Sequence, residues 1–222
     1  MKKTTMNPTN KHTIAPHLEG RLAAYAVLAG VALSAPVVAK AAIVESGPVN
    51  INIPNTFAGV YINLLTGATG ITPAAVPGWD IGPWGSSNLL SFFWNGTPAN
   101  TAGGVAGTTT GPYLDLALGS FVSGASVFTA SAASAQAAAF QTGGTHFLGF
   151  RFLNEATGIV NFGYAQFSTT DGGGFPATLV RYAYENTGAG ITVVPEPSTF
   201  ALFGVMAAGA LGIRVWRSRK AA

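Results

Sequence analysis

The chain has 222 residues, of which 48% are hydrophobic, only 9% are charged and none is cysteine. Without cysteine it has no disulfide, no thiolate metal site and no cysteine nucleophile. Its formal charge of +3 resides at the ends: of 11 Lys and Arg residues only Arg151 and Arg181 lie between residues 42 and 194, against six acids there, so this stretch carries −4 and lacks the basic surface that nucleic-acid binding requires.

The first segment carries Lys2, Lys3, Lys11 and Arg21 and is followed by a charge-free run from Leu22 to Ala39. A basic region, an apolar run and then small residues make a secretory signal peptide, which predicts a signal helix within residues 1–41 and signal peptidase as a partner. Ala39 and Ala41 supply the small-x-small pattern, so cleavage falls between Ala41 and Ala42. Cleavage after Ala39 is the alternative, and an uncleaved N-terminal anchor would have the same layout.

Residues 42–194 read as one mainly β extracytoplasmic domain, long enough to bury its own core. Val49 to Ile53 alternates with period two, and Gly59 to Leu65, Leu89 to Trp94 and Tyr113 to Leu118 are further strands. The clearest strands are His146 to Leu153, Ile159 to Phe167 and Leu179 to Glu185. In the last of these, Leu179, Arg181, Ala183 and Glu185 oppose Val180, Tyr182 and Tyr184. The Ala-rich stretch from Ser131 to Phe140 is a short helix or a loop. Short strands between Gly-rich turns, with no long amphipathic helix, predict an antiparallel β-sandwich or jelly roll.

Residues 195–222 open on Pro195-Glu196-Pro197, continue through an uncharged run from Ser198 to Ile213, and close on a tail containing Arg214, Arg217, Arg219 and Lys220. The two prolines start a helix after Pro197, with Ser198 as its cap. As a helix the uncharged run spans about 24 Å, close to the roughly 30 Å of a hydrocarbon core, so it is a short transmembrane helix. The four basic residues form a cytoplasmic topology signal.

Triplet, apolar span and basic tail together resemble the PEP-CTERM sorting signal of exported bacterial proteins. Three core segments, Phe147-Leu148-Gly149-Phe150-Arg151-Phe152, Asn161-Phe162-Gly163-Tyr164-Ala165 and Arg181-Tyr182-Ala183-Tyr184-Glu185, resemble a pattern of one group of these proteins. That pattern runs Gly-Phe-Arg-Phe, Tyr-Gly-Trp-Ala, Ala-Tyr-Glu, and here Phe162 and Tyr164 replace its usual aromatics. The resemblance implies processing at or near Pro195-Glu196-Pro197 by an exosortase-type membrane enzyme. It further implies an inner-membrane-anchored precursor, then a place at the cell surface or in an extracellular matrix with exopolysaccharide. It implies no enzymatic activity.

The core residues point to no catalytic, cofactor or metal set. His146 is the only histidine between residues 42 and 194, no Gly-x-Ser-x-Gly elbow accompanies it, and the Thr170-Asp171-Gly172 turn lacks the alternating acids of a calcium loop. Arg151 and Glu185 would pair if their strands were neighbours. The leading expectation is therefore a non-enzymatic exported surface or matrix protein. Two alternatives stand beside it. Trp79, Trp84, Trp94, Tyr113 and Tyr164 would make a carbohydrate-binding module if exposed, and otherwise fill the core. Two of Asp80, Asp115, Glu155, Asp171 and Glu185 facing each other across a cleft would make a polysaccharide hydrolase.

Overall fold

In the computed structural model, which describes residues 42–194, the strands follow one another as β1 (Ile43–Glu45), β2 (Ile51–Ile53), β3 (Tyr61–Ile62), β4 (Thr69–Gly70), β5 (Ile81–Ser86) and β6 (Leu89–Trp94). Then come β7 (Gly103–Val105), β8 (Phe121–Val122), β9 (Phe128–Thr129), β10 (Gly144–Asn154), β11 (Ile159–Thr169), β12 (Ala177–Glu185) and β13 (Ile191–Thr192). All pairings are antiparallel, and the described helical segments are the 3-10 turns Pro73–Ala75 and Ser134–Phe140. No described helix is long and apolar enough to cross a membrane. The signal helix, the transmembrane helix, Ala41 and the residues from Pro195 onward lie outside the described residues.

The three longest strands, β10, β11 and β12, are the three clearest alternating segments, and they sit side by side in a seven-stranded sheet ordered β1-β12-β11-β10-β7-β9, with β2 also on β12. A four-stranded sheet, β4-β3-β5-β6, and a ribbon of β8 and β13 complete the strand pairings. Period two gives each long strand two faces. From β10, Leu148, Phe150 and Phe152 join Ile62, Ile81, Leu90 and Phe92 of the smaller sheet in one buried cluster. The opposite face of the large sheet buries Phe162, Tyr164 and Ala183 with Val122 of β8 and Ile191 of β13. Phe92 is fully buried, with the rings of Phe140 and Phe167 each 5.2 Å away and Tyr113 at 5.6 Å.

Two local readings change and one strand is added. In β12 the register skips Val180: Gln166 faces Arg181, and Phe167 faces Leu179. This bulge turns Leu179 to the same core as Tyr182 and Tyr184, instead of the face of Arg181 and Ala183. The Val180 carbonyl accepts the N–H groups of both Val49 and Asn50, which occupies the displaced peptide. Tyr113 to Leu118 is not a strand, because its backbone partner changes along the segment: Tyr113 donates to Gln136, Leu114 to Val105 and Leu116 to Phe147. β5, Ile-Gly-Pro-Trp-Gly-Ser, is a strand that the sequence reading did not include. Beside it β3 pairs only at Ile62, opposite Ile81, so Pro83 removes no donor that this neighbour needs.

Candidate binding surface

The smaller sheet shows its second face to the outside. Along β5, Ile81 turns into the core while Gly82 and Trp84 turn outward; along β6, Phe92 is buried and Phe93 is 43% exposed. On β3, Ile62 goes in and Tyr61 goes out. Gly82 faces Phe93 in the register, and a Cβ there would lie 3.4 Å from the Tyr61 ring and 3.7 Å from the Phe93 Cβ. The absent side chain therefore leaves a floor between two rings.

The loop after β2 closes one side. Val60 donates to the Pro83 carbonyl at 3.0 Å and Gly85 donates to Thr56 at 3.0 Å, which lays the loop against β5. Gly59 makes this approach possible: its φ is +59°, and a Cβ there would collide with the Pro83 carbonyl and Trp84. The loop carries Phe57, 83% exposed, whose ring meets Trp84 edge-on at 4.9 Å. On the other side Trp79 stacks on Phe93 at 5.3 Å and 22° and meets Tyr61 edge-on at 4.9 Å. The result is a groove of about 220 Å³ lined by Phe57, Tyr61, Gly82, Trp84 and Phe93 with two alanines. The Trp84 Nε1–H is buried without a hydrogen-bond partner among the described residues.

The five aromatic candidates thus divide. Trp79 and Trp84 belong to the outer face; Trp94, Tyr113 and Tyr164 are core residues. Trp94 Nε1 donates to the Tyr113 hydroxyl at 2.9 Å, which donates to the Ser131 carbonyl at 2.6 Å. Burial raises the Tyr113 hydroxyl above its ordinary range. The Tyr164 hydroxyl donates to the Val194 carbonyl at 3.3 Å. Phe57, Tyr61 and Phe93 complete the groove without having been candidates. For Tyr61 and Phe93 the signal was their alternation with Ile62 and Phe92, which assigns them to the face away from the core.

The polar candidates have structural tasks. Asp115 faces His146 Nδ1 at 2.8 Å and accepts the Phe147 N–H at 2.9 Å, while His146 Nε2 lies 3.2 Å from the Thr142 carbonyl. Both imidazole nitrogens are occupied, so neither is left to serve a serine nucleophile. Glu185 is buried and accepts the Thr187 and Ala189 N–H groups and the Thr187 hydroxyl, which ties the turn after β12. It is not paired with Arg151, because β10 and β12 flank β11 on opposite sides. Asp171 accepts the Gly143 N–H at 2.6 Å, and Glu155 is exposed.

Asp80 differs from these. It is buried next to β5 and accepts the Leu64 N–H at 2.7 Å. Desolvation pushes its carboxyl up to about 8, with Glu155 adding to the rise and the Leu64 N–H opposing it. Among the described residues no group of three or more His, Cys, Asp or Glu side chains is arranged to hold a metal ion. No family model matches the chain, and comparison with curated proteins and with solved structures finds no match.

Proposed function

We propose that the chain is a non-enzymatic exported surface or matrix protein, sorted through its C-terminal signal, whose mature domain is a β-sandwich that holds a saccharide chain of its surroundings in the aromatic groove. The sorting half of this reading rests on the order of Pro195-Glu196-Pro197, the uncharged run and the basic tail, together with the charge-free run before Ala42. An exosortase-type enzyme and signal peptidase are its processing partners. The sandwich reading is supported by the core that the two larger sheets share.

The binding half rests on one observation: an open groove whose walls are the rings of Phe57, Tyr61, Trp84 and Phe93 over the bare floor at Gly82. A sugar ring offers C–H groups on its faces, which pack against aromatic rings. The unequal ring angles argue for a short segment of sugar chain over a flat crystalline surface, since Tyr61 stands 81° from Trp79.

The test is a tryptophan-fluorescence titration with short neutral oligosaccharides. Trp84→Ala removes one aromatic wall, so the reading expects about a tenfold weaker complex, a loss of about 1.4 kcal/mol. Gly82→Ala is expected to weaken binding by raising the groove floor. Unchanged affinity in both variants would remove the groove from the function.

A further inference from the structure

A second cavity shares no lining residue with the aromatic groove, and it is built around a charge. The described residues contain two arginines with different surroundings. Arg181 donates from Nε to the Gln166 side chain at 2.7 Å and from Nη2 to the Val194 carbonyl at 2.8 Å. Arg151 has neither kind of partner: its Nε is buried without a hydrogen bond, and the ion pair present among the described residues is His146 with Asp115. Alternation along β10 sends Phe150 and Phe152 into the core between the sheets and Arg151 to the other side. There it stands opposite Gly103 of β7.

The guanidinium lies over the Phe128 ring, 4.7 Å from its centroid. A ring attracts the cation through its face and accepts none of the guanidinium's in-plane N–H groups. Arg151 also lines a cavity of about 550 Å³, within the roughly 300–1,000 Å³ typical of small-molecule sites. Asn100, Thr109, Ser126 and Thr129 share that lining. The Ser126 hydroxyl oxygen accepts the Ser123 N–H and that of Thr129 accepts the Ser131 N–H, so both hydroxyl hydrogens remain to be donated. The wall therefore presents one fixed cation and several neutral donors, with no carboxylate among its residues.

We propose that this cavity binds a small hydroxylated carboxylate, with Arg151 as its counter-ion and the Ser126, Thr129 and Asn100 side chains meeting its hydroxyl groups. The planar guanidinium matches a carboxylate through paired N–H donors. One guanidinium balances a monoanion, whereas a phosphate dianion would leave an excess negative charge in a domain already at −4. Burial disfavours the charged form of Arg151, and a bound anion offsets that cost.

The test is calorimetric titration of the purified full chain in a neutral detergent with sodium glucuronate, glucose and inorganic phosphate. Glucuronate is expected to bind saturably and more weakly as salt rises, with glucose about tenfold weaker or more, the loss of one charge-assisted contact, and phosphate weaker too because it has no hydroxylated ring for the neutral donors and carries excess negative charge. Arg151→Gln should remove that preference over glucose, and Arg151→Lys should restore part of it. Because Arg151 packs on Phe128, a second variant leaves the core alone: Asn100→Asp adds a negative charge on an exposed residue whose φ of +65° asparagine and aspartate both tolerate. It should weaken glucuronate severalfold with the melting temperature unchanged. No saturable glucuronate binding to the folded chain, equal binding of glucose, tighter binding of phosphate, or an unchanged affinity in Asn100→Asp would each overturn the proposal.

Discussion

Replacing Asp80 by Asn should remove most of the domain's loss of stability in alkali. In the folded domain the Asp80 carboxyl keeps its proton up to about pH 8, against an ordinary value of 3.8. The unfolded chain releases that proton from about pH 4 upward, so between these values the folded state binds more protons than the unfolded state. The stability Asp80 contributes is therefore fully present below pH 4 and is lost as pH rises towards 8. About four pH units at about 1.4 kcal/mol each amount to a loss on the order of 5 kcal/mol. Asparagine has no proton to release, yet its carbonyl oxygen can still accept the Leu64 N–H that Asp80 accepts at 2.7 Å. Urea unfolding at pH 4, 6 and 8 is the assay. The wild type should weaken steeply across this range, while Asp80→Asn should be nearly flat, equal to the wild type at pH 4 and several kcal/mol more stable at pH 8. Since Glu155, Tyr182 and Tyr184 also interact with Asp80, the difference between the two curves is the quantity to read. Parallel curves would refute the argument and mean that Asp80 is ionised in the fold.

Three further outcomes are expected. Residues 42–194 expressed alone should be soluble and give a far-ultraviolet spectrum dominated by β structure, and protein recovered from outside cells should begin at Ala42; a helical spectrum, or recovery of Met1, would contradict these statements. Phe92→Ala should lower stability by about 3–5 kcal/mol through the cavity it leaves against Phe140 and Phe167, read as a fall in the urea midpoint. Glu196→Ala should leave export and folding intact but let a larger, membrane-held form accumulate, which mass analysis of the C-terminal peptide would show; equal trimming of both forms would reject the sorting reading.

The long strands were legible because each carries its own signal. β10, β11 and β12, nine to eleven residues long, contain the alternating segments read from the sequence, and β6 falls on the predicted segment Leu89 to Trp94. The short strands β4, β7, β8, β9 and β13 have two or three residues, too few for any period to register, and depend on what they meet in space. The Val180 bulge is a further case: nothing local to Leu179-Val180-Arg181 announces it, because it accommodates Val49 and Asn50 from far away in the chain. Of the groove, Trp79 and Trp84 were candidates by composition, but their separation from Trp94, Tyr113 and Tyr164 required the third dimension. The Arg151 cavity was hidden for the same reason. A missing partner is a property of the surroundings, and in sequence the arginine was equally compatible with a salt bridge to Glu185.

The end of the described domain is clamped. Val194 offers its carbonyl to both Arg181 and the Tyr164 hydroxyl, and Val193 donates to Ser120. Pro195 is the next residue. A chain spans at most about 3.6 Å per residue, so Pro197 lies no more than about 11 Å from the Val194 clamp. If the triplet is a processing site, as proposed, clearance becomes a selectable quantity. Three or four glycines inserted between Val194 and Pro195 should then raise the rate of C-terminal trimming, and an unchanged rate would show that clearance does not limit it.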